Sequence, residues 1–215
     1  MGPKGGASAG IESVYKKFAD PDDPEVISMD GVEALCKEVG ITDVSEDVRA
    51  LVLCHKLGAC TIDNAGKPKP GCIKHEEFVN AMKNMGKSTV AQLAQILPTL
   101  DTGFMEANEF KDFFLFVHKF SREENTQKKF LDKAFACALL PIVLDNKRAP
   151  HLDMFIQYLE TLPDNVTISA DQWTSFLHFN EVVQLDLTGY DAENGAWPLI
   201  LDEYVEHLQA KLEKK

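Results

Sequence analysis

Apolar residues recur at helical spacing along most of the chain. Ile11, Val14, Tyr15 and Phe18 fall on one face of a predicted helix that stops at Asp20 and Pro21. Ser28 precedes a second apolar face, made of Val32, Leu35, Cys36 and Val39 and closed by Gly40. Ser45 opens a third, with Val48, Leu51, Val52 and Leu57. The glycine- and proline-rich run 66–71 predicts a loop. A helix is predicted over 75–85, ended by Gly86, and another from Ser88 that stops before Pro98. The stretch 106–120 is aromatic, with Phe110, Phe113, Phe114, Phe116 and Phe120 close together. Four more helices are predicted over 126–144, 149–162, 170–185 and 197–211. Strand signals are almost absent, so the predicted fold class is all-α.

Two loops in the N-terminal half invite a test against the calcium-binding loop. That loop needs oxygen ligands at about positions 1, 3 and 5, Gly at 6, an apolar residue at 8 and a bidentate Glu at 12. With Ile27 at position 8, Asp20 and Asp22 occupy 1 and 3, but Pro24 takes 5, Glu25 takes 6 and Gly31 takes 12. With Ile73 at position 8, Gly71 and Glu77 fit 6 and 12, but Gly66, Pro68 and Pro70 fill the ligand positions. Neither loop supplies the charge that calcium requires. What remains is an architecture: two helix–loop–helix units paired through a short ribbon at Ile27 and Ile73, an EF-hand-like pair that has lost its metal.

Charge changes the picture most. The chain carries 34 acidic and 22 basic residues, but no Lys or Arg lies between Ala149 and Ala210. That stretch holds eleven acids: Asp153, Glu160, Asp164, Asp171, Glu181, Asp186, Asp191, Glu193, Asp202, Glu203 and Glu206. Almost all of the net charge of −12 therefore sits there. Nucleic acid needs a basic footprint and is excluded as an expected partner. A basic protein surface is the natural complement. No run of about 18 apolar residues exists, so no membrane-spanning helix is expected. The first ten residues lack an apolar core and read as a flexible tail rather than a secretory signal. Gly2 is followed by Pro3, with Gly6 where a hydroxyl residue belongs, which argues against myristoylation. Cys36, Cys54, Cys60, Cys72 and Cys137 form no C-x-x-C pair and read as free thiols in a reducing compartment, the cytoplasm and/or the nucleus.

Catalytic constellations are missing. The chain has no G-x-S-x-G, no H-E-x-x-H and no phosphate-cradling glycine loop. His75-Glu76-Glu77 lacks the second His of a zinc motif, and His55, His118, His151, His178 and His207 are scattered. No catalytic residue, cofactor or metal site is therefore expected, and a binding module is the better reading. A calcium-sensing EF-hand-like adaptor stands as the alternative.

The C-terminal motifs carry a resemblance. Asp171-Gln-Trp173, Phe179, Leu187-Thr-Gly-Tyr190-Asp191 and Gly195-Ala-Trp-Pro-Leu-Ile-Leu-Asp202-Glu-Tyr-Val-Glu206 resemble the potentiating-neddylation (PONY) domain of the defective-in-cullin-neddylation family. Asp30-Gly31, Phe110-Lys-Asp-Phe113 and Gln127-Lys128 fit the same family, and the likeness runs from about Val14 to Ala210. The resemblance implies a scaffold-type ligase with no covalent intermediate of its own. Such a scaffold promotes transfer of a ubiquitin-like modifier from its conjugating enzyme to a cullin lysine. It implies a flexible tail over 1–10, an EF-hand-like subdomain over 11–103 and a helical cullin-binding subdomain over 104–215, with 11–211 forming one domain.

Carried over residue by residue, the cullin-binding patch is Asp171, Ala196 and Asp202, with Asp186 nearby, facing the basic winged-helix end of the cullin C-terminal domain. A hydrophobic cleft between the halves is implied to receive the acetylated N-terminal Met of the conjugating enzyme. Its residues are Met29, Val32, Ala50, Leu53, Cys54, Ile73, Phe120, Leu139 and Ile142, with Asp30 at the rim. Ala50 is small where a branched residue is usual, and Pro70 replaces a polar one. The ring-type subunit that accompanies a cullin is a further candidate partner, and the chain is expected to be a monomer.

Overall fold

The computed structural model describes residues 4–62, 68–122, 129–192 and 195–212. Ten helices and five short strands lie among them, so the fold is predominantly helical. The chain forms two compact units, Met1–Gln127 and Lys128–Lys215.

The first unit opens with α1 (Lys4–Phe18), β1 (Val26–Ile27), α2 (Met29–Val39) and α3 (Val48–Lys56). β2 (Cys60–Ile62), β3 (Pro68–Lys74), α4 (His75–Asn84), α5 (Val90–Ala94) and α6 (Ala107–Phe120) follow. β1 pairs antiparallel with β3, and the register places Ile27 opposite Ile73, the ribbon read from the loop spacing. Both isoleucines are fully buried. β2 adds to the other edge of β3, giving the order β1-β3-β2.

The tail expected over 1–10 is helical from Lys4, although four glycines and prolines precede Gly10 and disfavour helix. Gly10 has a packing reason: a Cβ there would lie 2.8 Å from the Ser88 carbonyl oxygen. α3 is capped by Asp47, which accepts from the Arg49 amide, rather than opened by Ser45. Ser45 is held instead in a turn on Asp43. The cap of α5 is Thr89, not Ser88. The loop expected over 66–71 is a strand from Pro68 onward, while Gly66 and Lys67 lie outside the described residues. α6 packs on α3 and on the β2–β3 ribbon, so the first unit runs past the boundary placed at 103/104.

The second unit contains β4 (Phe130–Asp132), α7 (Lys133–Val143), α8 (Leu152–Thr161), β5 (Thr167–Ser169), α9 (Ala170–Val182) and α10 (Leu199–Leu212). One continuous helix was expected over 126–144; instead β4 precedes α7 and pairs antiparallel with β5, Leu131 opposite Ile168. Gln127 and Lys128 lie outside the described residues. α10 packs on α8 and α9. The core is aromatic: Phe155 stacks on Phe176 at 4.1 Å and meets Tyr204 edge-on at 5.2 Å.

Candidate functional site

The second unit displays the acids of the stretch that lacks Lys and Arg. α9 begins with a complete capping box, in which Ser169 Oγ accepts from the Gln172 amide at 3.1 Å. Gln172 Oε1 accepts from the Ser169 amide at 2.8 Å. The helix is thus capped without the Asp171 side chain, which is exposed in the first turn and favoured there by the helix dipole. Seven residues on, His178 lies on the same face of α9. Its ring sits 5.5 Å from Trp197, and Phe179 meets that indole edge-on at 5.4 Å. Gly195 makes this packing possible, because a Cβ there would come within 2.4 Å of the indole Nε1.

Between Gly195 and Trp197, Ala196 is exposed and held at φ +45°. Left-handed backbone costs an L-residue about 1–2 kcal/mol. Leu187, at φ +68°, is the other non-glycine residue with positive φ among the described residues. Both lie inside the C-terminal motifs, Leu187 opening one and Ala196 in the next. Strain of this kind persists only where the surroundings over-determine it, and it gathers at binding sites.

Asp202, half-buried in the first turn of α10, accepts from the Tyr190 hydroxyl at 2.7 Å. Burial first, then Asp202 and the charges of Glu206 and Asp191, pushes the Tyr190 hydroxyl up to about 12. Glu203 accepts from the Tyr158 hydroxyl at 3.2 Å, and burial followed by Glu203 and Glu206 pushes that phenol up to about 12 too. Both phenols are therefore neutral donors that hold carboxylates in place. Asp202 and Glu206 stand one turn apart, a like-charge spacing that costs a few tenths of a kcal/mol on a helix. Asp186, exposed in the turn after α9, accepts from the Thr188 amide at 2.9 Å, which lowers its pKa.

A buried polar network supports this surface. His151 is fully buried, and its Nε2 meets the Gln184 carbonyl at 3.1 Å. A carbonyl only accepts, so Nε2 carries the proton and Nδ1 accepts from the Tyr204 hydroxyl at 3.0 Å. The His151 amide donates to Asn180 Oδ1 at 2.8 Å, and Asn180 Nδ2 donates to the Phe176 carbonyl. One imidazole thus ties the turn that carries Asp186 to the helix that carries Asp202. Burial lowers the His151 pKa and keeps the ring neutral.

The residues assigned to the cleft fall differently. In the first unit Met29 is 54% exposed and Asp30 is exposed, both in the first turn of α2. Val32, Ala50, Leu53, Cys54, Ile73 and Phe120 are core residues. Leu139 is buried and Ile142 half-buried on α7 of the second unit. Cys36, Cys54 and Cys137 are free thiols, and the Cys60 side chain lies outside the described residues. Among the described residues no group of three His, Cys, Asp or Glu side chains could hold a metal ion. No helix among them is long and apolar enough to cross a membrane.

Sequence reasoning did not single out Tyr158, Tyr190 or His151 as supports of the acids. Their partners lie 45, 12 and 53 positions away, a separation no local period reveals.

A family model described as cullin binding matches residues 92–207, more than half of the chain and all four acidic-patch positions. The chain belongs to this cullin-binding family. It is 29% identical over 195 residues to DCN1-like protein 4 of Drosophila melanogaster, covering 91% of this chain and 73% of that one. Identity to the Homo sapiens DCN1-like protein 5 is 30% over 192 residues, covering 89% and 74%. To the Homo sapiens DCN1-like protein 4 it is 32% over 197 residues, covering 92% and 62%.

Proposed function

We propose that the protein is a non-covalent scaffold for cullin neddylation, a co-ligase that holds the cullin C-terminal domain and the modifier-loaded conjugating enzyme together. The observation that carries the reading is the acidic surface of the second unit in a chain of the cullin-binding family. Asp171 lies on the face of α9 whose His178 meets Trp197, and Asp202 and Glu206 stand on the first two turns of α10. The surface carboxylates are acceptors, and no Lys or Arg of that stretch competes for them. The exposed Ala196 lets a partner backbone approach beside Trp197.

The second partner is the acetylated N-terminus of the conjugating enzyme. A free α-amine is partly charged at neutral pH, and burying that charge unpaired is costly, whereas an acetylated terminus is neutral. Methionine fills irregular apolar pockets well. Exposed Met29 and Asp30 on α2 fit the entrance of such a site. Holding both partners makes the transfer effectively intramolecular, and a tenfold gain in rate requires only about 1.4 kcal/mol. The same reading places the protein in the cytoplasm and/or nucleus, acting as a monomer, with the ring-type cullin subunit close to the complex.

The test is a reconstituted transfer reaction. Adding the chain accelerates modification of a cullin C-terminal fragment at least tenfold with acetylated conjugating enzyme, and much less with the free-amine form. Equal stimulation by both forms contradicts the cleft; no stimulation by either contradicts the scaffold.

A further inference from the structure

A recess of about 510 Å³ opens at the C-terminal end of α9. Pro150, Asn180 and the run 181–186 line it. Its rim is apolar on one side, where Val182 is 42% and Leu185 56% exposed. Glu181 and Asp186 add two carboxylates, and Glu181 is paired with His178 at 3.3 Å. α9 is 13 residues long and turns the negative end of its dipole toward this place.

The floor is already satisfied. Asn180 bonds through its side chain to His151 and Phe176, and the Gln184 carbonyl accepts from His151. The Gln184 amide donates to the Thr188 carbonyl, closing the turn. The recess is therefore preformed, and a ligand would be recognised by its rim rather than by its floor. The rim combines apolar wall with negative charge. Two acids without a third ligand do not make a metal site, and an anion would be repelled. The side chain that fits both features is a long alkyl stem with a cationic head, because Lys and Arg bury their methylenes on apolar surface while the charge stays at the rim.

We propose that this recess is a subsite for one lysine or arginine side chain of a basic cullin segment, with the stem against Pro150, Val182 and Leu185 and the head beside Asp186. The proposal rests on the cullin-binding reading, to which it adds an anchor point at the opposite end of α9 from Asp171. The lining residues themselves contribute no cation.

The test titrates the full chain with a cullin C-terminal fragment. Leu185→Lys places a cation in the recess and is expected to weaken binding at least fivefold, while Leu185→Ser, which only trims the wall, weakens it about twofold. Leu185 is exposed, and unchanged melting temperatures confirm that both variants fold. A scan replacing each Lys and Arg of the fragment by Glu should find one substitution whose loss is largely restored by Leu185→Lys and by no other variant. Asp202→Arg separates the two readings. If wild type does not bind, the cullin reading fails. If wild type binds, Asp202→Arg abolishes binding and Leu185→Lys binds normally, the subsite alone fails. Sedimentation that shows Leu185→Lys changing self-association instead of cullin affinity also overturns it.

Discussion

The two units carry the same net charge and use it in opposite ways. Residues 1–127 hold 20 acids and 14 bases, and residues 128–215 hold 14 acids and 8 bases, so each has a formal charge of −6. In the first unit the charges are interleaved and paired: Lys17 with Glu38, Lys37 with Glu33, Arg49 with Asp47 and Lys56 with Glu109. In the second, bases occupy only the two ends of the sequence, and the acids between them meet hydroxyls and a histidine, with Lys133 reaching Asp164. The interiors differ too. Of the four buried polar or charged residues described, Lys133, His151 and Asn180 belong to the second unit and His118 to the first. Net charge alone therefore says little about partners. The arrangement of charge, and the polar interior that holds it in place, is what distinguishes the second unit's surface from the first's.

The largest expected effect breaks that interior. His151→Ala removes a fully buried ring and leaves the Gln184 carbonyl and the Tyr204 hydroxyl without their partner, so it should destabilise the second unit by about 3 kcal/mol. His75→Ala in the first unit removes a half-exposed pair with Glu12 and an edge-on ring contact with Tyr15, and should cost about 1 kcal/mol. Denaturant titration of the two variants checks the contrast.

Acid should sharpen it. Burial lowers the His151 pKa, and burial lowers that of His55 in the first unit as well. A folded pKa below the unfolded value of about 6.5 gives stability that is complete above that pH and is lost as pH falls through the folded value. Melting temperature should therefore drop as pH falls below about 6.5. His151→Gln should flatten more of that drop than His55→Gln, since only His151 is fully enclosed.

The smallest effect separates two left-handed positions. Gly40, the α2 cap at φ +105°, has room for a methyl but not the backbone freedom, so Gly40→Ala should cost about 1 kcal/mol. Ala196→Gly relieves strain but loosens the unfolded chain, and stability should change by no more than about 1 kcal/mol, in the stabilising direction. A destabilised Ala196→Gly would show that the methyl makes a contact of its own.

Much of the helical layout was legible because local signals agreed. Ser28 and Gly40 bracket α2, and loop spacing alone put Ile27 opposite Ile73. What was missed depends on distance or brevity. β4 is three residues set between Lys129 and Lys133, too short to show a period, and only pairing with β5, more than thirty positions on, makes it a strand. The run of acids in the second unit was visible in charge patterning. The hydroxyls that orient them were not, since Tyr190 and Tyr158 find Asp202 and Glu203 only after the chain has folded.

The most direct test of the acidic surface is a calorimetric titration of a cullin C-terminal fragment into the wild-type chain, Asp202→Arg and Glu38→Arg. The two reversals change net charge equally, one on each unit. A like-charge contact at an interface costs several kcal/mol, while an exposed pair such as Lys17–Glu38 contributes little. Asp202→Arg should weaken binding more than tenfold with the fold intact, and Glu38→Arg should bind within twofold of wild type. Equal losses from both, or wild-type affinity in Asp202→Arg, would contradict the assignment of cullin binding to the second unit's acids.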